Sequence, residues 1–239
     1  MYDLSTMPRT IPESRLKDLV ACATRVFIEQ GYRQTQIADV AAELGVAKGT
    51  VYLYVESKEA LFAAAVRWAD AEAPGISELD LPLPTPAPEV LPRELAARLA
   101  REAIPASLRA ALARERADDP RAELAQIVRD LYAISSRHRT AIKLLDRCGR
   151  DHPVLSSEYY GRGRFAQLQL LHELLDARIR TGQLPPVDDV AVAARFLIET
   201  VATWAVHIHW DPAPQAIDPE SAERMVVELV VRALAGPPA

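Results

Sequence analysis

Apolar residues recur at helical spacing from near the start of the chain. In residues 12–30 they form one stripe, made of Leu16, Leu19, Val20, Ala23 and Phe27. A second stripe follows after a short break, made of Ile37, Val40, Ala41 and Leu44. Gly31 and Gly45 come directly after these segments, where a helix end favours a residue that accepts positive φ. The patterns predict two helices, with Thr35 as the expected N-cap of the second.

Residues 51–55, VYLYV, admit two interpretations. β-Branched and aromatic residues favour a strand. Helical spacing instead turns Val51 and Val55 toward a core. It leaves Lys48 and Tyr52 on an outer face that also has a glycine and no carboxylate, which suits close approach to a polyanion. We favour the helix and keep the strand as the alternative, because two short helices with a glycine-containing turn are typical of a DNA-binding helix-turn-helix.

The segment 31–62, GYRQTQIADVAAELGVAKGTVYLYVESKEALF, resembles the N-terminal domain of TetR-family (tetracycline-repressor-like) transcriptional regulators. The resemblance implies an all-α homodimer with an N-terminal three-helix DNA-binding domain and a larger C-terminal domain for effector binding and dimerisation. It assigns DNA contacts to Thr35, Gln36, Lys48, Gly49, Thr50, Tyr52, Tyr54 and Lys58, the last against the phosphate backbone. Two residues depart from the family pattern. Ala47 stands where a serine cap is common, and Gln36 replaces a small hydroxyl residue.

Six prolines between residues 74 and 92 interrupt the helical pattern. Proline lacks a backbone N–H and disfavours helix, so this segment is predicted to be an extended surface linker. The predicted domains are 1–57, the DNA-binding domain with a loose arm at 1–10, and 58–239, the C-terminal domain. A fourth helix is expected to begin at Ser57, which fits a helix cap.

Helical spacing continues to the end of the chain without a convincing period-two segment, so the predicted fold class is all-α. The clearest core stripe is Leu124, Ile127, Val128, Leu131 and Tyr132. Another consists of Phe165, Leu168, Leu171, Leu175 and Ile179. Between these stripes, GRGR at 161–164 is expected to be a flexible turn or a helix start, and the basic run 137–139 is expected to be solvated.

Two segments near the C-terminus predict a contact with a second chain. Residues 190–208 are apolar on nearly every face, and 220–234 contain a second such stretch. A helix of this kind must be covered on more than one side. We expect one side to pack within its own domain and the other to form a two-fold homodimer, which is also where the resembled family dimerises. Burial wholly within one subunit is the alternative.

Charge and composition restrict the possibilities. The 239 residues carry 28 Lys/Arg and 33 Asp/Glu, a formal net charge of −5. Residues 1–60 contain seven basic against eight acidic residues, a net charge of −1, so DNA binding would depend on a few well-placed groups. No apolar run is long enough for a bilayer and no signal-peptide pattern appears, so we expect a cytoplasmic protein. Cys22 and Cys148 are isolated, which predicts neither a disulfide nor a metal site.

An effector pocket is expected among the C-terminal helices, from helix faces and the resemblance. Its expected lining is Tyr132, Leu145, Trp204 and His207. The apolar surroundings favour a hydrophobic or aromatic ligand. His207 and His209 would point about 200° apart on a helix, which argues against a shared metal. No spacing specifies a catalytic set or a cofactor site, so the chain is not expected to be an enzyme.

The sequence therefore predicts a ligand-responsive transcriptional regulator. We expect a repressor that binds a pseudo-palindromic DNA operator as a homodimer and is released by a small-molecule effector. The alternative is an all-α small-molecule-binding protein or enzyme that no longer binds DNA. The intact set Lys48, Gly49, Thr50, Tyr52 and Lys58 argues against that alternative.

Overall fold

The computed structural model describes residues 13–71 and 80–236. Helices make up the regular structure of these two ranges, and the predicted all-α fold class is confirmed. In chain order they are α1 (Glu13–Gln30), α2 (Ile37–Glu43), α3 (Lys48–Val51), α4 (Lys58–Trp68), α5 (Val90–Glu102), α6 (Ala106–Leu112), α7 (Pro120–Arg137), α8 (Arg139–Cys148), α9 (Pro153–Glu158), α10 (Ala166–Arg180), α11 (Val190–Ala205) and α12 (Pro219–Ala235). A π-helical segment, Tyr159–Phe165, joins α9 to α10, and short 3-10 turns follow α8 and α11. The predicted arm at 1–10 lies outside the described residues, as do residues 72–79 of the proline-rich region.

The chain forms two compact units, Met1–Ala87 and Pro88–Ala239. Unit 1 contains α1 to α4, because α4 packs on α1. The predicted functional boundary at 57/58 stays a prediction, and it falls inside unit 1. Within the described ranges, no helix has the combination of length and apolar character needed to cross a membrane.

Unit 1 has its core between α1 and α4. The predicted stripe of α1 is buried along its length, from Leu16 to Phe27. α4 buries seven successive residues, Ala60–Val66, four of them alanines whose small side chains let neighbouring helices approach closely. Phe62 packs edge-on against Phe27, with ring centroids 5.2 Å apart, an arrangement that adds to the stabilisation from burial. Ser57 caps α4 as predicted, since its Oγ accepts the Ala60 N–H at 3.0 Å.

The described part of the proline-rich region packs onto unit 1. Leu83 is buried and forms an isolated parallel bridge with Val55. The Leu83 N–H donates to the Tyr54 carbonyl at 2.8 Å, and the Leu83 carbonyl accepts from the Glu56 N–H at 3.0 Å. The Thr85 N–H donates to the Glu56 carboxylate at 2.8 Å. This segment therefore braces the end of the helix-turn-helix, and the interpretation as a surface spacer is wrong for these residues.

The predicted linker is also too long at its C-terminal end. α5 begins at Val90, and Pro92 lies in its first turn. Proline is tolerated there because the first N–H groups of a helix have no intrahelical partner.

In unit 2, α7, α10, α11 and α12 enclose a second core. The predicted α7 stripe is buried from Leu124 to Tyr132. In the next stripe Leu171 and Leu175 are buried, but Phe165 is 61% exposed. Phe165 ends the π-helical segment, whose wider turn changes the register of the residues before α10. GRGR at 161–164 lies inside this segment, so the predicted turn or helix start is corrected to continuous π-helix.

A buried arginine ties three elements of unit 2 together. Arg178 on α10 is 2% exposed, and its guanidinium makes two hydrogen bonds to the Glu123 carboxylate of α7, at 2.8 and 3.1 Å. It also donates to the Ala111 carbonyl at 2.8 Å and to the carbonyls of Arg114 and Glu115. These acceptors lie at the C-terminal end of α6, where carbonyl groups lack intrahelical donors.

Candidate nucleic-acid interface and ligand cavity

The helix-turn-helix of unit 1 consists of α2, a turn at Gly45 and α3. Gln36 is the N-cap of α2, and its N–H donates to the Asp39 carboxylate at 2.7 Å. The prediction of Thr35 as this cap was wrong. Gly45 has a φ of 68°, a conformation that favours glycine, and the Val46 N–H closes α2 on the Ala41 carbonyl at 2.9 Å.

α3 starts at Lys48 and is regular for one turn, with Ala47 as an N-cap that makes no side-chain bond. The chain then continues in helical turns, since the Tyr54 and Val55 N–H groups donate to the Val51 carbonyl at 3.0 and 3.2 Å. Val51 and Val55 are buried. The helical interpretation of this segment is confirmed, and only Val55 takes part in a β-bridge.

The outer face of α3 is exposed and free of carboxylates. Lys48 and Gly49 are exposed, and Tyr52 and Leu53 each expose 42% of their surface. A Cβ atom added at Gly49 would meet nothing within 4 Å, so the backbone there is open to a ligand. We use "the α3 outer face" below for Lys48, Gly49, Tyr52 and Leu53. Of the other predicted contacts, Gln36 is exposed and Thr50 half-buried.

Three of the predicted DNA contacts are buried or have hydrogen-bond partners within unit 1. Thr35 is 1% exposed, and its hydroxyl donates to the Gly31 carbonyl at 2.8 Å. Tyr54 is also buried, and burial raises the pKa of its phenol. The Lys58 ammonium donates to the carbonyls of Tyr32 and Thr35, both at 2.9 Å, and lies 4.3 Å from the centre of the Tyr32 ring. Thr35 and Lys58 therefore hold the loop before α2 in place. The assignment of all three residues as DNA contacts stays a prediction.

Unit 2 contains a cavity of about 100 Å³ between α5, α7, α8, α11 and the π-helical segment. Of the predicted effector residues, Leu145 and His207 line it. Tyr132 and Trp204 lie outside the lining, in or against the helical core, where the Tyr132 hydroxyl is 3.4 Å from the Trp204 carbonyl oxygen. Two of the four predicted effector residues therefore lie at the cavity.

Polar groups meet at one part of the cavity wall. The Tyr160 hydroxyl donates to Asp146 Oδ1 at 3.1 Å, and His207 Nε2 lies 3.9 Å from Asp146 Oδ2. Burial raises the pKa of the Asp146 carboxyl, against the lowering effects of the Tyr160 hydrogen bond and of His207 and Arg164 nearby. Arg164 pairs with Glu199 through a hydrogen bond from its Nη2.

A second polar pair lines the same cavity. His138 Nε2 lies 3.4 Å from the Glu102 carboxylate. Outside the cavity lining, Arg139 donates from Nη1 to the His209 ring at 2.8 Å. The prediction of a solvated basic run at 137–139 is therefore corrected for the side chains of His138 and Arg139. Within the ranges that the structure describes, no group of three or more His, Cys, Asp or Glu side chains is arranged to hold a metal ion.

Several α11 and α12 side chains that are large and apolar face solvent. They are Val192, Phe196, Met225 and Leu229. The opposite sides of the same helices are buried in the core of unit 2. This set is called the α11–α12 apolar face below.

Residues 19–65 match the family described as bacterial regulatory proteins, tetR family. The matched range contains α2, α3 and most of α1 and α4. This N-terminal region is therefore similar to the DNA-binding domain of the tetR family. A curated relative in this region is the fatty acid metabolism regulator protein of Bacillus subtilis, 44% identical over 41 residues, which are 17% of this chain and 21% of that protein. The chain thus spans only about a fifth of the length of the curated relatives that it matches.

Two solved structures share the fold of nearly the whole chain. The ketosteroid transcriptional regulator KstR2 of Mycobacterium tuberculosis superposes with a TM-score of 0.58 at 18% identity, over 94% of this chain and 97% of that chain. The TetR-family regulator PfmR of Thermus thermophilus gives a TM-score of 0.54 at 18% identity, over 96% of this chain and 99% of that chain. At 18% identity these likenesses show a common fold alone.

Proposed function

We propose that the chain is a ligand-responsive transcriptional regulator that binds a pseudo-palindromic DNA operator as a homodimer. The observation that carries this proposal is the α3 outer face. A cation, a phenol and an open glycine lie exposed there on the second helix of a helix-turn-helix, which is the helix that enters the major groove in this motif. The Lys48 ammonium and the Tyr52 hydroxyl are donors suited to phosphates or base edges.

Homodimerisation is supported by the α11–α12 apolar face. Four large apolar side chains on two neighbouring helices form an exposed surface of the kind that marks protein–protein contacts. A two-fold arrangement would cover this surface with its own copy. It would also present two α3 outer faces, which must lie about 34–36 Å apart, or a multiple of this, to enter successive major grooves.

The cavity of unit 2 supports the ligand-responsive part of the proposal. An effector that binds better to a form with a different spacing of the α3 faces would lower DNA affinity, with a coupling of typically about 1–3 kcal/mol. α5 lines the cavity and follows directly on the segment that bonds to Tyr54 and Glu56. Motion of α5 on ligand binding would therefore act on the end of the helix-turn-helix. We infer that the protein is a repressor whose release from DNA by the effector allows transcription.

Selection of bound fragments from genomic DNA tests the proposal. The wild-type protein is compared with a Lys48→Glu/Tyr52→Ala variant, which changes only exposed side chains and should fold. We expect the wild type alone to enrich an inverted repeat. Equal enrichment by both proteins, or none by either, would contradict DNA recognition through α3. Such a result would favour the alternative, an all-α ligand-binding protein or enzyme that does not bind DNA. That alternative gives no reason for the exposed α3 outer face.

A further inference from the structure

The polar and apolar groups of the unit 2 cavity specify a ligand class. We propose that this cavity binds a small uncharged molecule whose apolar body carries one hydroxyl group. The proposal rests on the proposed function, in which this cavity is the effector site. It deepens that function by naming the chemistry of the effector.

The volume and the lining of the cavity indicate the size and the apolar character of the ligand. Most of the lining is aliphatic, including Leu95, Leu99, Ile142, Leu145, Ile198 and Val201. Transfer of an apolar ligand surface from water to such a lining is favourable. The volume of about 100 Å³ is of the order at which apolar protein cavities take up single-ring molecules such as benzene.

The formal charges of the lining cancel. Arg98 and Arg164 contribute two positive charges, and Glu102 and Asp146 contribute two negative ones. Lys143 also acts on Asp146, but it is not part of the lining and its ammonium lies 5.9 Å from the centre of the Trp210 ring. A ligand with a net charge would therefore meet no excess of opposite charge in the cavity.

The charged groups are also already engaged. Arg164 is paired with Glu199, Glu102 lies beside His138, and Asp146 accepts from Tyr160. A carboxylate or an ammonium would lose its hydration on entry and would have to compete with these partners. Burying a charge without a dedicated partner is strongly unfavourable. The lining therefore disfavours acids and amines alike.

Two atoms of the charged groups, one donor and one acceptor, are available to a neutral polar group. The Arg164 Nε–H is buried and has no hydrogen-bond partner among the described residues. Asp146 Oδ2 lies 3.9 Å from the nearest His207 nitrogen, which is too far for a hydrogen bond. A hydroxyl group both donates and accepts, so it can satisfy a donor and an acceptor at once. It also suits Asp146 in either protonation state.

Four probes that share one ring test the proposal. They are benzyl alcohol, toluene, benzylamine and benzoate, each titrated into the full-length protein while the methyl NMR signals of the cavity leucines and isoleucines are followed. We expect benzyl alcohol to bind about tenfold more tightly than toluene, the factor that one net hydrogen bond provides. The amine and the acid should bind at least tenfold more weakly than the alcohol.

A variant of Asp146 tests whether the preference for benzyl alcohol over toluene arises in the cavity. Asp146→Leu removes the acceptor at similar size, and it should make the affinities for benzyl alcohol and toluene equal. Asp118→Leu, at an exposed aspartate of the same unit, should keep the tenfold preference. If Asp146→Leu does not fold, the four-probe comparison on the wild type still decides.

Either charged probe binding as tightly as the alcohol, equal binding of alcohol and toluene, or no binding of any probe would overturn the proposal. Operator binding is measured on the same preparation. A protein that binds the operator and none of the probes contradicts the ligand class and leaves the proposed function intact. A protein that selects the alcohol but binds no DNA keeps the ligand class and contradicts the proposed function.

Discussion

Tyr52 presents its phenol beside the Lys48 ammonium on the α3 outer face, one helical turn along. Tyr52→Phe removes one hydroxyl and no apolar contact, so operator affinity should fall by about tenfold, the equivalent of one net hydrogen bond. Fluorescence anisotropy with the selected operator measures the change. Thermal unfolding of Tyr52→Phe should match that of the wild type, because Tyr52 is 42% exposed. Unchanged affinity of Tyr52→Phe would remove Tyr52 from the DNA contacts.

The two lysines predicted as DNA contacts should behave differently. Lys48 is exposed, whereas the Lys58 ammonium is held by two backbone carbonyls. Each phosphate contact contributes about −0.9 to the slope of log affinity against log salt. Lys48→Gln should therefore make the slope of a dimer less steep by about 1.8. Lys58→Gln should leave the slope unchanged and destabilise unit 1 by about 1.5–3 kcal/mol, since it loses charge-assisted hydrogen bonds.

Salt titrations of operator binding and thermal melts of both variants check this contrast. A slope that changes equally in the two variants would restore Lys58 as a phosphate contact. The melts are needed because a partly unfolded Lys58→Gln protein would lose affinity without any change in its contacts.

Asp146 should make stability depend on pH. Burial raises the pKa of its carboxyl in the folded state, so its favourable contribution is complete below the unfolded pKa and is lost as pH rises through the folded pKa. Asp146→Asn removes the buried charge. It should raise the melting temperature at pH 7, and its advantage over wild type should shrink toward pH 4. A constant difference across this range, or one as large for the exposed Asp118→Asn, would contradict the argument.

The exposure of the α3 residues could be predicted from the sequence, but the partners of the buried and half-buried polar side chains could not. Helical spacing alone separates Lys48 and Tyr52 from Val51 and Val55. The role of Lys58 could not be predicted this way, because its acceptors are backbone carbonyls 26 and 23 residues earlier in the chain. The same limit applies to Asp146 and Arg164, since the polar lining of the cavity comes from separate elements that the fold brings together.

At the level of elements, Arg178 links α10 to α7 and to the C-terminal end of α6 through its hydrogen bonds. Arg178→Met keeps the apolar stem but leaves three carbonyls of the α6 region without their donor. It also leaves the Glu123 carboxylate with only the largely exposed Arg114, whose Nη2 lies 3.3 Å away. Removing one partner of a buried pair costs about 3–5 kcal/mol, so thermal unfolding of unit 2 should occur at a clearly lower temperature.

A double variant provides the control for this prediction. Arg178→Met/Glu123→Leu also removes the stranded carboxylate, and it should recover part of the lost stability because no buried charge remains unpaired. Arg180→Met, at an exposed arginine of the same helix, should have little effect. A double variant less stable than Arg178→Met would contradict the account of Arg178.

Helix stripes with regular spacing were predicted correctly, as α1 and α7 show. The π-helical segment was not, because its wider turn depends on packing. A Cβ atom at Gly163 would lie 3.3 Å from Leu99 Cδ2, so a residue of α5 fits closely against the glycine backbone. No local spacing in GRGR indicates this contact, and the exposure of Phe165 follows from the same change of register.

At the scale of the whole molecule, the α11–α12 apolar face should control assembly. Phe196→Glu places a charge on this face, and a two-fold pairing would bring two such charges into one apolar contact. Burying unpaired charge is unfavourable, so sedimentation velocity should show a monomer, and operator affinity should fall by at least about tenfold. Val154→Glu, at an exposed valine of α9, should remain dimeric. A dimeric Phe196→Glu protein with full operator affinity would place the dimer contact elsewhere.

Photo-crosslinking tests the central claim, that the α3 outer face lies on DNA, most directly. A benzophenone side chain at position 53 replaces Leu53, an exposed apolar residue beside Lys48 and Tyr52, and the protein is irradiated with the selected operator. We expect a crosslink from position 53 to each half-site of the inverted repeat, and none from a benzophenone at position 154. No crosslink from position 53 to an operator that remains bound, or equal crosslinking from both positions, would contradict it.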